Sequence, residues 1–159
     1  ENIGKNMENI FSAINDIANN NDDVEIIYAM HKNPKVREIA VKILKDNSRV
    51  HLTDPIDYLP FMNLIAKSYM VVTDSGGIQE SAPALGKPVL VVRKETERPE
   101  GIEAGTAKLI GVDRKEVYEH ISLLLNDKEE YTKMANVVNP YGDGNAAKNI
   151  VKIIKSNLV

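Results

Sequence analysis

Two spacings of apolar residues alternate along the chain. Ile3, Met7, Ile10, Phe11, Ile14, Ile17 and Ala18 fall on one helical face, and the polar run Asn19-Asn20-Asn21-Asp22-Asp23 ends that helix. A short apolar run over 24–30 predicts a strand. After His31-Lys32-Asn33-Pro34, the residues Val36, Ile39, Ala40, Ile43 and Leu44 return to the helical period. The pattern continues with a strand over 49–52, a turn over 53–57, a helix over 58–67 and a strand over 70–73. A helix follows Ser75 to about Leu85, where Gly86 and then Pro88 stop it. A buried strand over 89–92 leads into a charged loop over 93–101, and residues 107–110 predict a last short strand. The remainder reads as helical, over 114–126, 129–135 and from about Asn145 to the end.

Short continuous apolar strands separated by helices predict a parallel sheet covered on both faces. With right-handed crossovers this is an α/β, Rossmann-like domain. Neither an internal repeat nor a linker divides it, so one domain over 1–159 is expected.

In such a sheet, ligands sit outside the carboxyl ends of the strands. There Val71-Val72-Thr73 runs into Asp74-Ser75-Gly76-Gly77-Ile78-Gln79-Glu80. A strand feeding a helix through small residues leaves backbone N–H groups unpaired at a partly positive helix start, which suits phosphate. Gly76 and Gly77 have no Cβ to hold a diphosphate off the main chain and tolerate positive φ, and Ser75 adds a hydroxyl. The plainer alternative is a βα turn capped by Asp74 or Ser75. Arg93 and Arg98 follow the next strand and open onto the same edge, with forks suited to phosphate or carboxylate. A solvated loop whose charges pair among themselves is the alternative there.

Composition narrows the partners. A net charge of −3, with no long basic cluster, argues against nucleic acid. Without cysteine there is neither a disulfide nor a thiolate metal site, which fits a cytoplasmic protein. No apolar stretch is long enough to span a membrane. Gly-x-Gly-x-x-Gly is absent after every predicted strand, as is the P-loop signature, so neither NAD nor ATP is expected. The three histidines are dispersed, and no resident metal or cofactor is expected. His51 and His120 read as structural or surface residues.

Several motifs occur in order. They are Thr73-Asp74-Ser75-Gly76-Gly77-Ile78-Gln79-Glu80, Ala82-Pro83, Leu85-Gly86-Lys87-Pro88-Val89-Leu90, Thr96-Glu97-Arg98-Pro99-Glu100-Gly101, Glu103-Ala104-Gly105-Thr106 and Asn139-Pro140-Tyr141-Gly142-Asp143-Gly144. Together they closely resemble the C-terminal half of the non-hydrolysing UDP-N-acetylglucosamine 2-epimerases, and the likeness covers essentially the whole chain. The resemblance implies a UDP-binding domain from a glycosyltransferase-B-like two-domain enzyme. Glu1-Asn2 is similar to the end of the family's His-Arg-x-Glu-Asn motif. The expectation is that this chain starts just after a functional histidine, that a catalytic N-terminal domain is missing, and that the chain alone is inactive.

The resemblance further implies reversible conversion of UDP-N-acetylglucosamine to UDP-N-acetylmannosamine in a homodimeric parent. UDP is eliminated to a glycal and added back after reprotonation on the other face. Ser75, Gly76 and Gly77 would then hold the diphosphate, Arg98 would stabilise the leaving group, and His31 would face the ligand. Phe61 is similar to the residue beside the uracil, with core packing as its alternative. Glu80 is placed to accept from ribose hydroxyls. Many relatives have a second Glu where this chain has Ser81, so the ribose contact belongs to either position. Two other functions share the fold: a glycosyltransferase-B sugar transferase and a non-catalytic sugar-nucleotide-binding module. The Thr96-Glu97-Arg98-Pro99-Glu100 loop favours the epimerase.

Overall fold

A computed structural model describes residues 3–157. Its helices are α1 (Lys5–Asn20), α2 (Pro34–Leu44), α3 (Tyr58–Lys67), α4 (Gly76–Ser81), α5 (Pro99–Ala104), α6 (Arg114–Asn126), α7 (Lys128–Ala135) and α8 (Ala146–Asn157). Between them run strands β1 (Ile26–Ala29), β2 (Val50–Thr53), β3 (Val71–Thr73), β4 (Val89–Val91) and β5 (Ala107–Leu109). The expected resemblance of Glu1-Asn2 to a motif end lies outside the described residues.

Every strand pairing is parallel, as the continuous apolar runs require, but the ladder comes in two parts. β1 pairs with β2, and β4 sits between β3 and β5 with Val72 opposite Leu90 and Leu90 opposite Lys108. The two parts share one core without ladder hydrogen bonds between β1 and β3, since Ile26 and Val72 pack against the same buried cluster.

The alternation along β4 shows how both faces are covered. Leu90 points into a cluster with Ile10, Ala13 and Ile17 of α1 and Val117, Ile121 and Leu124 of α6. Val89 and Val91 point the other way, among Ile65 of α3, Ile78 of α4 and Ile102 of α5. Helix α1 also joins the halves, because Phe11 and Ala18 pack with Ala40 and Leu44 of α2 and Val50 of β2.

Helix ends follow local chemistry. Asn33 Oδ1 accepts from Lys35 N at 3.0 Å with Pro34 in the first turn of α2, and the carboxylates of Asp113 and Asp127 cap α6 and α7. The helix expected from Ser75 to Leu85 breaks into α4 and a 3-10 turn, Pro83–Leu85. Pro83 has no N–H to continue the ladder, and its ring crowds the preceding turn. Gly86 ends this stretch with φ 67°, as expected. The charged loop over 93–101 contains the start of α5, which the sequence pattern missed. Pro99 at its first position and Gly105 with φ 87° just past its end are the signals that would have found it. Among the described residues, no helix is long and apolar enough to cross a membrane.

Candidate functional site

β3 and β4 end side by side, and the chain leaves each toward the same edge. After β3, Thr73 Oγ1 accepts from Ser75 N at 3.1 Å and fixes the turn. Ser75 occupies the N-cap position of α4 in an extended conformation, yet its hydroxyl makes no capping bond. The first helical bond runs from Gln79 N to Ser75 O at 3.1 Å. Among the described residues, the N–H groups of Gly76, Gly77 and Ile78 therefore face outward without a protein acceptor. This corrects the capped-turn alternative, since neither Asp74 nor Ser75 caps α4 through its side chain.

Neither glycine is required by unusual backbone geometry. Neither is among the residues with positive φ, which corrects that part of the sequence argument. A Cβ on Gly77 would project into open space, whereas one on Gly76 would lie 2.6 Å from Glu97 Oε1 and 3.7 Å from Arg98 Cζ. The loop after β4 is thus folded directly over the turn. Charged side chains 21 and 22 positions further along the chain lie against Gly76.

Arg98, expected at this edge, is the N-cap residue of α5. Its Nε donates to Glu80 Oε1 and its Nη1 donates to Glu97 O at 3.2 Å. The Glu80 carboxylate raises the pKa of this guanidinium, so it stays charged. Arg93 is paired with Glu97. The Glu97 carboxyl is held below its ordinary range by a backbone N–H first, then by Arg93 and Arg98. The charges of the loop thus pair among themselves and with Glu80, and this pairing holds the Arg98 guanidinium beside Gly76.

Glu80 and Ser81, the two ribose candidates, are both engaged. One Glu80 oxygen accepts from Arg98, and Ser81 Oγ donates to Gly77 O at 2.9 Å within α4. Phe61 packs in the cluster of Ile65, Ala82 and Val91, and its N–H donates to Asp57 O at 2.9 Å. His31 lies exposed beyond β1, and its Nδ1 accepts from Asn33 N at 3.1 Å. That bond places the ring proton of the neutral form on Nε2.

Burial first, and then the charge of Asp74, push the Tyr28 phenol up to about 12. Tyr28 is on β1 and Asp74 follows β3, so the strand ends are neighbours despite the missing ladder bonds. Asp74→Asn is expected to lower the Tyr28 pKa part of the way toward its ordinary value near 10. Alkaline absorbance titration against a Tyr28→Phe reference measures it. An unchanged titration would separate the two edges.

His120, on α6, is away from this edge; burial lowers its pKa, reinforced by Lys108. His51 pairs with Glu25 across 2.6 Å on an exposed strand face.

Four further participants stand within the motifs of the sequence but were given no role there. Glu97 covers Gly76, and buried Gln79 accepts through Oε1 from Thr96 Oγ1 at 2.6 Å. Thr96 Oγ1 in turn accepts from Arg98 N at 3.1 Å. Tyr141 Oη accepts from Gly101 N at 3.0 Å and so docks the polar loop before α8 onto the first turn of α5. One signal was available: Gln79 lies three residues before buried Ala82, on the same helical face.

A model of the UDP-N-acetylglucosamine 2-epimerases matches residues 1–155. The chain belongs to the UDP-N-acetylglucosamine 2-epimerase family. It is 56% identical over 154 residues to a putative UDP-N-acetylglucosamine 2-epimerase of Thermotoga maritima, covering 97% of this chain and 41% of that protein. The S. aureus MnaA-UDP co-structure superposes with a TM-score of 0.94 at 52% identity, over 99% of this chain and 43% of that one. A Neisseria meningitidis UDP-GlcNAc 2-epimerase bound to UDP-GlcNAc gives a TM-score of 0.92 at 44% identity, over 98% and 42% of the respective chains. The present chain thus spans about two-fifths of the length of these epimerases, and the α/β fold expected from the sequence is theirs.

Proposed function

We propose that residues 1–159 form the UDP-binding domain of an enzyme that interconverts UDP-N-acetylglucosamine and UDP-N-acetylmannosamine. The observation that carries this is the uncapped start of α4, with three outward N–H groups and the Arg98 guanidinium drawn across Gly76. Backbone N–H groups and a fixed guanidinium together make an anion site whose donors need no rearrangement when charge arrives.

The chemistry requires such a site. The C2 proton beside the acetamido group is not acidic, so the bond from C1 to the β-phosphate oxygen breaks as that proton leaves. UDP departs with the electron pair and a glycal remains. UDP then adds back at C1 while a proton is delivered to the opposite face of C2. Ser75, Gly76, Gly77 and Arg98 hold UDP throughout, with Phe61 beside the base and His31 facing the ligand. Ribose falls to the second oxygen of Glu80 and to the Ser81 hydroxyl, a weaker pair than two carboxylates.

The groups that move the C2 proton belong to a separate catalytic domain of the parent enzyme. Helix α8 supports such a partner, because Ile150, Val151, Ile153 and Ile154 are all at least half exposed on it. Among the described residues, no part of α8 is buried.

The chain alone is expected to bind UDP weakly and to exchange no C2 proton. Calorimetry with millimolar UDP tests the first expectation and deuterium incorporation into the sugar tests the second. Ser75→Ala should weaken binding about fivefold, the worth of one hydroxyl bond with the backbone donors left in place. Absence of UDP binding at millimolar ligand would overturn the assignment.

A further inference from the structure

The loop that carries Arg98 follows β4, whereas the N–H groups it complements belong to α4. A loop has no intrinsic reason to keep its guanidinium in register with another element's helix start. The structure supplies two ties, both from adjacent residues of α4. Glu80 Oε1 accepts from Arg98 Nε and sets the head of the side chain. Gln79 acts on the backbone through Thr96.

Gln79 is 1% exposed, on the same helical face as buried Ala82, where an apolar residue is the ordinary occupant. Its Nε2 has no hydrogen-bond partner, so the buried amide is retained at a cost. What that amide does is accept from Thr96 Oγ1 at 2.6 Å. The Thr96 hydroxyl has one proton, and giving it to Gln79 turns its lone pairs toward Arg98 N, which donates to it at 3.1 Å. In this order Gln79 Oε1, the Thr96 hydroxyl and Arg98 N form one continuous chain of hydrogen bonds.

We propose that Gln79 and Thr96 are positioning residues, a strut rooted in buried Gln79 that fixes the backbone of Arg98 relative to the phosphate-binding turn on the same helix. This rests on the assignment of Arg98 and the Ser75-Gly76-Gly77 turn to the diphosphate. The strut makes α4 the common ruler for both halves of the anion site. Glu80 alone cannot do this, since a salt bridge to a partly exposed arginine leaves the backbone free to shift.

The test is a double-mutant cycle on UDP binding by the full chain. Thr96→Val removes the hydroxyl at nearly constant shape and is expected to weaken UDP binding about fivefold, with Thr96→Ser restoring it. Gln79→Met cuts the strut from its other end and should give a similar loss. Combining it with Thr96→Val should add nothing further.

In an Arg98→Ala background, Thr96→Val should have no effect on affinity, because its whole influence passes through that guanidinium. Circular dichroism melts identify any variant that fails to fold, and the Gln79 and Thr96 arms then stand in for each other. Thr96→Val binding UDP like the parent chain, or weakening it equally with and without Arg98, would overturn the strut. Arg98→Ala binding UDP unchanged would instead overturn the assignment beneath it.

Discussion

Gly76→Val is expected to abolish measurable UDP binding by this chain while leaving the domain folded. The position is helical and lacks a positive φ, so the backbone itself admits a side chain. The obstacle is what the side chain meets. Its Cβ alone would stand 2.6 Å from Glu97 Oε1, and the branched methyls of valine extend further into the same space. Glu97 meets it with the far end of a half-exposed side chain, which can swing aside only by giving up its present place against Arg93. The valine methyls therefore displace the Glu97 carboxylate, crowd the Arg98 guanidinium and cover the N–H groups proposed to face the ligand.

Losing the charge-assisted contact and one or more backbone donors together corresponds to at least about a hundredfold in affinity. Calorimetry with UDP and a thermal melt measure the two halves of this expectation. Gly77→Val, whose Cβ enters open space, should also weaken UDP binding but without displacing Glu97, so the two variants separate blocking of the turn from displacement of the loop. Wild-type affinity in Gly76→Val would mean that the anion does not sit at this turn.

Arg98→Ala, in the full-length enzyme proposed above, is expected to lower kcat by about 10² to 10³ with a smaller effect on KM. The difference between the two constants follows from when the charge appears. In bound substrate the β-phosphate oxygen toward C1 is an ester oxygen. As the bond to C1 breaks that oxygen becomes anionic, and a fixed guanidinium then gains most of its interaction energy. Arg98 is kept charged by Glu80 and oriented at both its backbone and its Nε, so it has little to reorganise as the charge develops.

Arg98→Lys should restore only part of the rate, because a single ammonium cannot bond Glu80 through one edge and present a second planar edge to phosphate. Steady-state kinetics on the three proteins decide the matter. A raised KM with unchanged kcat would reduce Arg98 to a ground-state contact.

The strands and most helices were legible because burial imposes a period on the sequence. Leu90 and its neighbours Val89 and Val91 are apolar because both faces of β4 are covered, and α1 shows its stripe because one side of it packs. The turn over 74–77 was equally legible, since small residues between a strand and a helix have few other uses. Helix α5 was lost because Arg93, Lys94, Glu95, Glu97, Arg98 and Glu100 gave the segment the composition of a solvated loop. Its Pro and Gly boundaries carried the signal instead.

By itself, the sequence determined a parallel α/β domain, and it pointed to one strand-end edge and to Ser75, Gly76, Gly77 and Arg98 as the residues to watch. These depend on continuous apolar runs, on a period of 3.6 residues and on backbone chemistry within a few positions, all of which a linear string records. Only the tertiary structure decided that Gly76 is reserved for the loop folded over it, that Glu80 serves Arg98 before any ribose, and that buried Gln79 reaches Thr96. Those partners are 17 to 22 positions apart, on elements that meet only after β3 and β4 pair. Neither period nor local propensity carries distances of that kind; the packing of the sheet sets them.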